Sequence, residues 1–278
     1  MLNIGCDSMI KMVVSDLDGT LLKKDRIISL ESKQYLKHLK DNGYIIVIAT
    51  GRIYRSAMEA TDNADFADYI ITDNGAAIHE QKTGNAILKK TIDKQVLEKI
   101  FSFENDNWRH MYVCGKELMY KYSKEEENNS FIKTIYDKSY ILNNCNDIFH
   151  IVISSKSDED ISNLYKKLTI ELPEMSVINM RESFTDRKWI EIMQKGCSKY
   201  NAIKELASRL GIDNDQIIAF GDSLNDIEMI SKCGYGVALK NALPNIKESA
   251  KAITEYDHNS DGVIKFLKVH LDNNGQIK

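Results

Sequence analysis

The sequence predicts an α/β fold, a doubly wound parallel sheet of Rossmann-like type interrupted by an inserted α+β module. Three observations predict it. Apolar runs at 12–14, 44–49, 69–72 and 217–220 are continuous rather than alternating, as in strands buried on both faces, and helical stretches lie between them. Each run ends in small and polar residues, at the strand end where open α/β sheets bind ligands. From about 88 to 190 the texture changes to shorter amphipathic strands and two amphipathic helices, and after 193 the first texture returns. The expected division is residues 1–87 with 191–278 as one core, and 88–190 as the insertion.

The elements follow in order. Ser29 suits the N-cap of a helix to Asn42 with Tyr35, Leu36 and Leu39 on one face and Gly43 as its stop. The 44–49 strand ends in Thr50-Gly51-Arg52, a short helical segment runs to about Ala60, and the 69–72 strand ends in Asp73-Asn74-Gly75. In the insertion, a helix from near Asp93 aligns Val96, Leu97, Ile100 and Phe101. A second from near Asp158 aligns Ile161, Leu164, Tyr165 and Leu168. Strands are expected at 108–113, 117–122, 147–154, 175–180 and 188–193, Pro173 marks a loop, and the charged run 124–129 reads as a solvated helix start. Back in the core come a helix at 199–210 stopped by Gly211, strands at 217–220 and 235–239, an edge strand at 252–254 and a closing helix at 261–271. Residues 1–8 and 272–278 read as loosely ordered ends.

Composition narrows the chemistry. Of 278 residues, 43% are hydrophobic and 28% charged, which is the balance of a globular protein with a proper core. Lys and Arg number 37 against 41 Asp and Glu, a net charge of −4, with no long basic block. Nucleic acid and anionic membrane are therefore poor partners, and a small molecule is the expected one. The cysteines, Cys6, Cys114, Cys145, Cys197 and Cys233, are odd in number and form no CxxC, so neither zinc nor disulfides are implied. With no basic leader and no run of 18 apolar residues, a cytoplasmic location is expected.

The chemistry centres on residues 11–22, KMVVSDLDGTLL. If the chain stays extended through Leu17, period two puts the Asp16 and Asp18 side chains on one side, where one metal and one substrate would feel both. Two such carboxylates repel unless a cation or proton lies between them. A polar turn after a strand would read the same way. An EF-hand loop would not, because it needs glycine sixth, and from Asp16 glycine comes fourth.

Further along, SDLDGTLL, ATGR, DNGA, KGCSKY and FGDSLNDIEM follow one another. In this order, over nearly the whole chain, they resemble the haloacid dehalogenase (HAD) superfamily, and in particular its Cof-type sugar phosphatases of subfamily IIB. The insertion falls where that family carries its cap, of type C2B. The resemblance implies Asp16 as nucleophile, forming an aspartyl-phosphate, and Asp18 as the acid and then the base. It implies Mg²⁺ held by Asp16, the backbone carbonyl of Asp18, and Asp222, with Asp226 orienting that shell. It implies a phosphate cradle of Thr50, the backbone at Leu17 and Gly51, Lys199 and Asn225, with Arg52 as a weaker substrate contact.

Taken singly, these residues have plainer readings. Thr50 could cap the next helix, Arg52 could be a surface residue, and Asp222 and Asp226 could be an N-cap and a first-turn acid. Lys195 competes with Lys199 for the lysine role. Tyr200 departs from the glycine usual after that lysine, and Leu239-Lys240-Asn241-Ala242 departs from Met-Gly-Asn-Ala. The expected activity is Mg²⁺-dependent hydrolysis of small phosphorylated metabolites, sugar phosphates first, under a cap that excludes water and selects the substrate. Arg181, Glu182 and Lys188 are examples of cap residues that could select. The alternatives are a phosphomutase of the phosphomannomutase type and a metabolite-binding regulator without turnover.

Overall fold

The computed structural model describes residues 9–181, 188–271 and 276–277. The 1–8 extension with Cys6, Glu182 and most of the polar tail lie outside them, as does the side chain of Arg181. The chain forms two compact units. One holds the residues up to Arg52, Ala57–Leu88 and those from Ser198 onward; the other holds Ile53–Ser56 and Lys89–Cys197.

In chain order the elements are β1 (Met12–Ser15), α1 (Leu30–Asp41), β2 (Ile45–Ala49), α2 (Tyr54–Thr61), β3 (Tyr69–Thr72), β4 (Ala77–Glu80) and β5 (Ala86–Lys89). The insertion follows with α3 (Lys94–Phe101), β6 (Trp108–Cys114), β7 (Met119–Tyr122), β8 (Ile132–Thr134), α4 (Lys138–Asn144), β9 (His150–Ser155), α5 (Asp158–Glu171), β10 (Met175–Arg181) and β11 (Lys188–Gln194). The chain then returns through α6 (Lys199–Leu210), β12 (Ile217–Gly221), α7 (Ile227–Lys232), β13 (Tyr235–Ala238), α8 (Pro244–Ser249), β14 (Ala252–Ile253) and α9 (Gly262–His270).

The first unit is built on a sheet of order β14-β13-β12-β1-β2-β3-β4-β5. From β14 to β3 every pair is parallel, while β4 runs antiparallel to β3. The sheet is therefore mixed at one edge, where the expectation had only parallel strands. The turn Asp73–Gly75 is too short for a crossover, so β4 can only return antiparallel. Both faces are covered. Val13, Ile46, Ile48, Ile218 and Phe220 pack with Leu36 and Leu39 of α1 and Val263 and Leu267 of α9. The intervening residues, Met12, Val14, Val47, Ala49, Ile217 and Ala219, pack with Ala202, Ile203 and Leu206 of α6 and Met229 of α7. Two-sided burial is why these strands read as continuous apolar runs.

Local signals set the ends of the helices. The Ser29 side chain accepts from the Ser32 amide to cap α1, and Ser198 accepts from the Asn201 amide to cap α6, which ends at Gly211 in the left-handed region. Pro244 opens α8 at a position where a missing amide hydrogen costs nothing.

The second unit is a six-stranded sheet, β10-β11-β9-β6-β7-β8, antiparallel except for the parallel β7–β8 pair. Leu97, Ile100, Ile141, Ile161, Leu164 and Leu168 of its helices pack on Met111, Val113, Ile151, Ile153, Ile190 and Ile192. It runs past the expected limit of 190 to Cys197, because β11 pairs along its whole length as far as Gln194 with Met175. The charged run 124–129 is irregular and exposed, not a helix start. Glu127 pairs with the buried Lys121 at 3.0 Å and accepts from the Tyr112 hydroxyl at 2.7 Å, which ties the run to the strands. Lys188 is held by Asp158. Cys114, Cys145, Cys197 and Cys233 are buried and not joined in disulfides. Among the described residues, no helix is long and apolar enough to cross a membrane.

One close approach packs α7 against the amino-terminal half of β13. A Cβ on Gly236 in β13 would lie 1.7 Å from the Ile230 carbonyl oxygen of α7. Gly236→Ala is expected to destabilise the protein by about 1–3 kcal/mol through forced backbone shifts, and a thermal melt matching that of the wild type would contradict the approach.

Candidate active site

Register brings the site together. Ser15 lies beside Phe220 on one side and Ile48 on the other, and Ala49 beside Ile71. One or two steps further along each strand stand Asp16, Gly221-Asp222, Thr50 and Asp73, so four sequence-distant loops leave the sheet at one end.

The first loop does not stay extended. The Leu17 carbonyl accepts from the amides of Thr20, Leu21 and Leu22 at 2.8–3.2 Å, a tight turn that begins straight after Asp16. Leu17 itself is in the core, so it offers a ligand only its backbone. The two carboxylates therefore do not form the equivalent pair that period two suggests, and their surroundings differ. The Asp16 side chain is 6% exposed and bonded to Lys199, whereas that of Asp18 is 55% exposed and bonded to Arg52. Both line a pocket of about 260 Å³ together with Gly51, Arg52, Ser223 and Asn225.

Behind Asp16 lies a buried charge cluster. Lys199, the first residue of α6, is fully buried, and its Nζ donates to Asp16 Oδ1 and to Asp226 Oδ1, each at 2.6 Å. Burial alone would push the ammonium pKa down, but the two carboxylates outweigh it and hold it above its ordinary value. Lys195 is exposed and belongs to the other unit, so the lysine of the site is Lys199. Tyr200 does not disturb it: the ring lies beneath Lys232 Nζ at 5.4 Å while α6 starts normally at its Ser198 cap.

Asp226 is tied down at both oxygens, Oδ1 to Lys199 and Oδ2 to the amides of Asp222 and Ser223 at 3.0 Å each. It can come so close because residue 221 is glycine, where a Cβ would meet the Asp226 side chain at 2.6 Å. Asp222 accepts from the Thr20 hydroxyl at 2.9 Å and, less closely, from that of Ser223. It packs on Gly19, where a Cβ would lie 2.4 Å from Oδ2 and φ is +78°. The glycine of the opening motif thus admits the acid of the distant one.

Thr50 is buried, and its Oγ1 accepts from the Arg52 amide at 3.1 Å, leaving a hydroxyl proton to donate. Asn225 donates to Asn74 Oδ1 at 3.0 Å. Sequence reasoning gave no role to Thr20, Asn74, Gly75 or Asn241, yet each joins the site. Gly75, at φ +97°, lies flat on the start of α6, since a Cβ there would be 2.2 Å from the Ser198 carbonyl oxygen. Asn241 donates to the Gly19 carbonyl at 2.8 Å. The asparagine and glycine of DNGA and the unusual LKNA segment were visible as motifs, but nothing in their spacing revealed these contacts.

Asp16, Asp222 and Asp226 offer carboxylate oxygens within 4.8 Å of one another. Burial raises the pKa of Asp16, as do the charges of Asp226 and Asp222, against the pull of Lys199. Burial also raises Asp222, to about 6, with Asp226 adding to it. One lysine faces three acids, so the cluster lacks positive charge, and its all-oxygen donor set fits a hard divalent cation such as Mg²⁺. Asp16 and Asp222 are the ligands best placed to take it. Asp226, bonded at both oxygens, orients the loop.

A profile of the haloacid dehalogenase-like hydrolases matches residues 13–267, so the chain belongs to that family. It is a phosphatase of the HAD superfamily. Over 262 residues it is 27% identical to the 5-amino-6-(5-phospho-D-ribitylamino)uracil phosphatase YcsE of Bacillus subtilis, a match covering 94% of this chain and 96% of that one. YitU, a B. subtilis phosphatase named for the same compound, is 29% identical over 270 residues, covering 94% and 97%. A solved HAD subclass IIB sugar phosphatase shares the fold with a TM-score of 0.73 at 21% identity, covering 93% of this chain and 98% of that structure.

The raised carboxyl of Asp222 has a consequence for stability. Its folded pKa of about 6 exceeds the unfolded value of about 3.9, so the metal-free native state binds the extra proton between them. Stability should be highest below pH 4 for this group and fall as pH rises to 6. In metal-free protein the melting temperature of the wild type, relative to Asp222→Asn, is expected to fall across pH 4–6. Added Mg²⁺ should recover it above pH 6 and not at pH 4; a difference independent of pH and metal would refute the assignment.

Proposed function

We propose that this phosphatase hydrolyses small phosphorylated metabolites, sugar and sugar-alcohol phosphates first, with Mg²⁺ and through an aspartyl-phosphate on Asp16. Its partner is a small phosphate monoester rather than nucleic acid or a membrane, and its place is the cytoplasm. The observation that carries this is the buried Asp16 carboxylate, held by Lys199 and facing the same pocket as Asp18. The naming of YcsE and YitU for a phosphorylated ribitylamino compound supports an alkyl phosphate ester as the substrate type.

The residues divide the work. The phosphate enters the pocket beside Gly51 and Asn225, where the Thr50 hydroxyl and backbone amides can donate to its oxygens. An oxygen of Asp16 attacks phosphorus as the ester P–O bond breaks, and Asp18 gives its proton to the departing alkoxide. A water then attacks phosphorus, Asp18 takes the water's proton, and inorganic phosphate leaves with Asp16 restored. Bound Mg²⁺ would neutralise charge between the Asp16 carboxylate and the phosphate dianion. Lys199 opposes the rise in the Asp16 pKa and holds its carboxyl group in place, since phosphoryl transfer depends on positioning and charge more than on covalent work by the protein.

The test is release of inorganic phosphate from a panel of phosphorylated sugars and polyols. Wild-type protein with Mg²⁺ should turn over and lose activity with a chelator. Asp16→Asn should lower the rate by roughly 10³-fold or more, as loss of a covalent nucleophile does. Undiminished activity in that variant would reject the nucleophile.

A further inference from the structure

We propose that Arg52 is a positioning residue that acts on the reaction through Asp18, rather than by binding the substrate. This rests on the reading above of Asp18 as acid and base. Arg52 donates from Nε to Asp18 Oδ2 at 2.7 Å and from a terminal nitrogen to Oδ1 at 2.6 Å, so the fork of the guanidinium meets both carboxylate oxygens.

The two partners are held very differently. Asp18 lies past a strand end with 55% of its side chain exposed, so packing alone cannot fix its rotamer. Arg52 is 21% exposed, and its backbone is anchored twice: its amide donates to Thr50 Oγ1 at 3.1 Å, and its carbonyl accepts from the Asp73 amide at 3.0 Å. Orientation therefore passes from the loop after β2 through Arg52 to Asp18. A proton donor must lie within about 2.6–3.2 Å of the atom it serves. A carboxylate rotating freely at the pocket mouth would seldom meet that requirement, whereas one clamped at both oxygens has one orientation.

Magnitudes separate this from a structural role. A pair this exposed adds only about 0–1 kcal/mol to stability, so its loss should scarcely move the melting temperature. Loss of orientation at a proton-transfer group should cost far more in rate. Lysine, a point charge, can satisfy one oxygen but cannot fix the carboxylate plane, so Arg52→Lys should rescue only in part.

The experiment compares wild type, Arg52→Ala, Arg52→Lys, Asp18→Asn and the Arg52→Ala/Asp18→Asn double variant, with Mg²⁺. Three readouts are used: steady-state hydrolysis of an alkyl phosphate, steady-state hydrolysis of p-nitrophenyl phosphate, and the first-turnover burst from 2,4-dinitrophenyl phosphate, whose leaving group needs no proton. Arg52→Ala is expected to keep its melting temperature and KM. It should lose kcat on the alkyl ester by roughly 10–100-fold, part of the 10²–10⁴ that acid–base catalysis contributes. The dinitrophenolate burst should be unchanged, and in the Asp18→Asn background the Arg52 change should add no further loss on p-nitrophenyl phosphate. A rise in KM on all substrates that persists in the Asp18→Asn background would overturn the proposal and put Arg52 on the substrate. Undiminished hydrolysis by Asp16→Asn would instead overturn the aspartyl-phosphate reading beneath it.

Discussion

Everything in the core unit depends on one buried cation. The Lys199 ammonium has no solvent exposure, and it shares itself between Asp16 and Asp226 at equal distances of 2.6 Å. A charge taken that far from water is tolerable only when it is paired and hydrogen-bonded. The acids need the lysine as much as it needs them, since without it Asp16 and Asp226 would be two desolvated carboxylates in mutual repulsion. Three chain segments separated by up to 210 residues in sequence (16 to 226) are therefore tied by one electrostatic requirement. The arrangement still falls short of neutrality at Asp222, and that shortfall makes the site receptive to a divalent cation.

The surrounding backbone is shaped to permit these approaches. Gly19 admits Asp222, Gly221 admits Asp226, and Gly75 admits the carbonyl before Lys199. Each glycine lies in a different loop from the group it accommodates or, for Gly221, at the turn that begins that loop. The glycines in these motifs thus record tertiary contacts rather than turn propensity alone. Asn74, Asn225 and Asn241 add polar ties between the same loops, so the loops around the pocket brace one another. Arg52 continues that pattern outward from the buried cluster to the exposed Asp18.

The inserted unit was harder to read. Its helices α3 and α5 carry long apolar stripes, and their starts at Asp93 and Ser157 fall beside the expected positions. The three residues of β8 and the seven of α4 escaped, because so few residues hold no clear period. The run 124–129 was charged enough to suggest a solvated helix, but Glu127 is drawn to Lys121 and Tyr112 on adjacent strands, a cross-strand attraction that composition cannot reveal. In the core, β4 and β5 went unassigned; β4 follows β3 after only the short stretch 73–76, and β5, at the sheet edge, has no fully buried residue.

The sequence by itself determined the class of fold, the order of its parts and the principal acids, because buried parallel strands must be apolar throughout and polar clusters at their ends have one place to go. Asp16, Thr50, Asp222 and Asp226 stand at or just after those strand ends, and the resemblance to the HAD superfamily added Lys199 and supplied the expected role of each. Only the tertiary structure decided what distinguishes Asp16 from Asp18. Local periodicity treats them as equals two residues apart, but the turn at Leu17 and the partners brought from elsewhere bury one against Lys199 and leave the other at the pocket mouth in the grip of Arg52. Burial and charge partners are properties of the folded chain, and they give two identical side chains different chemistry.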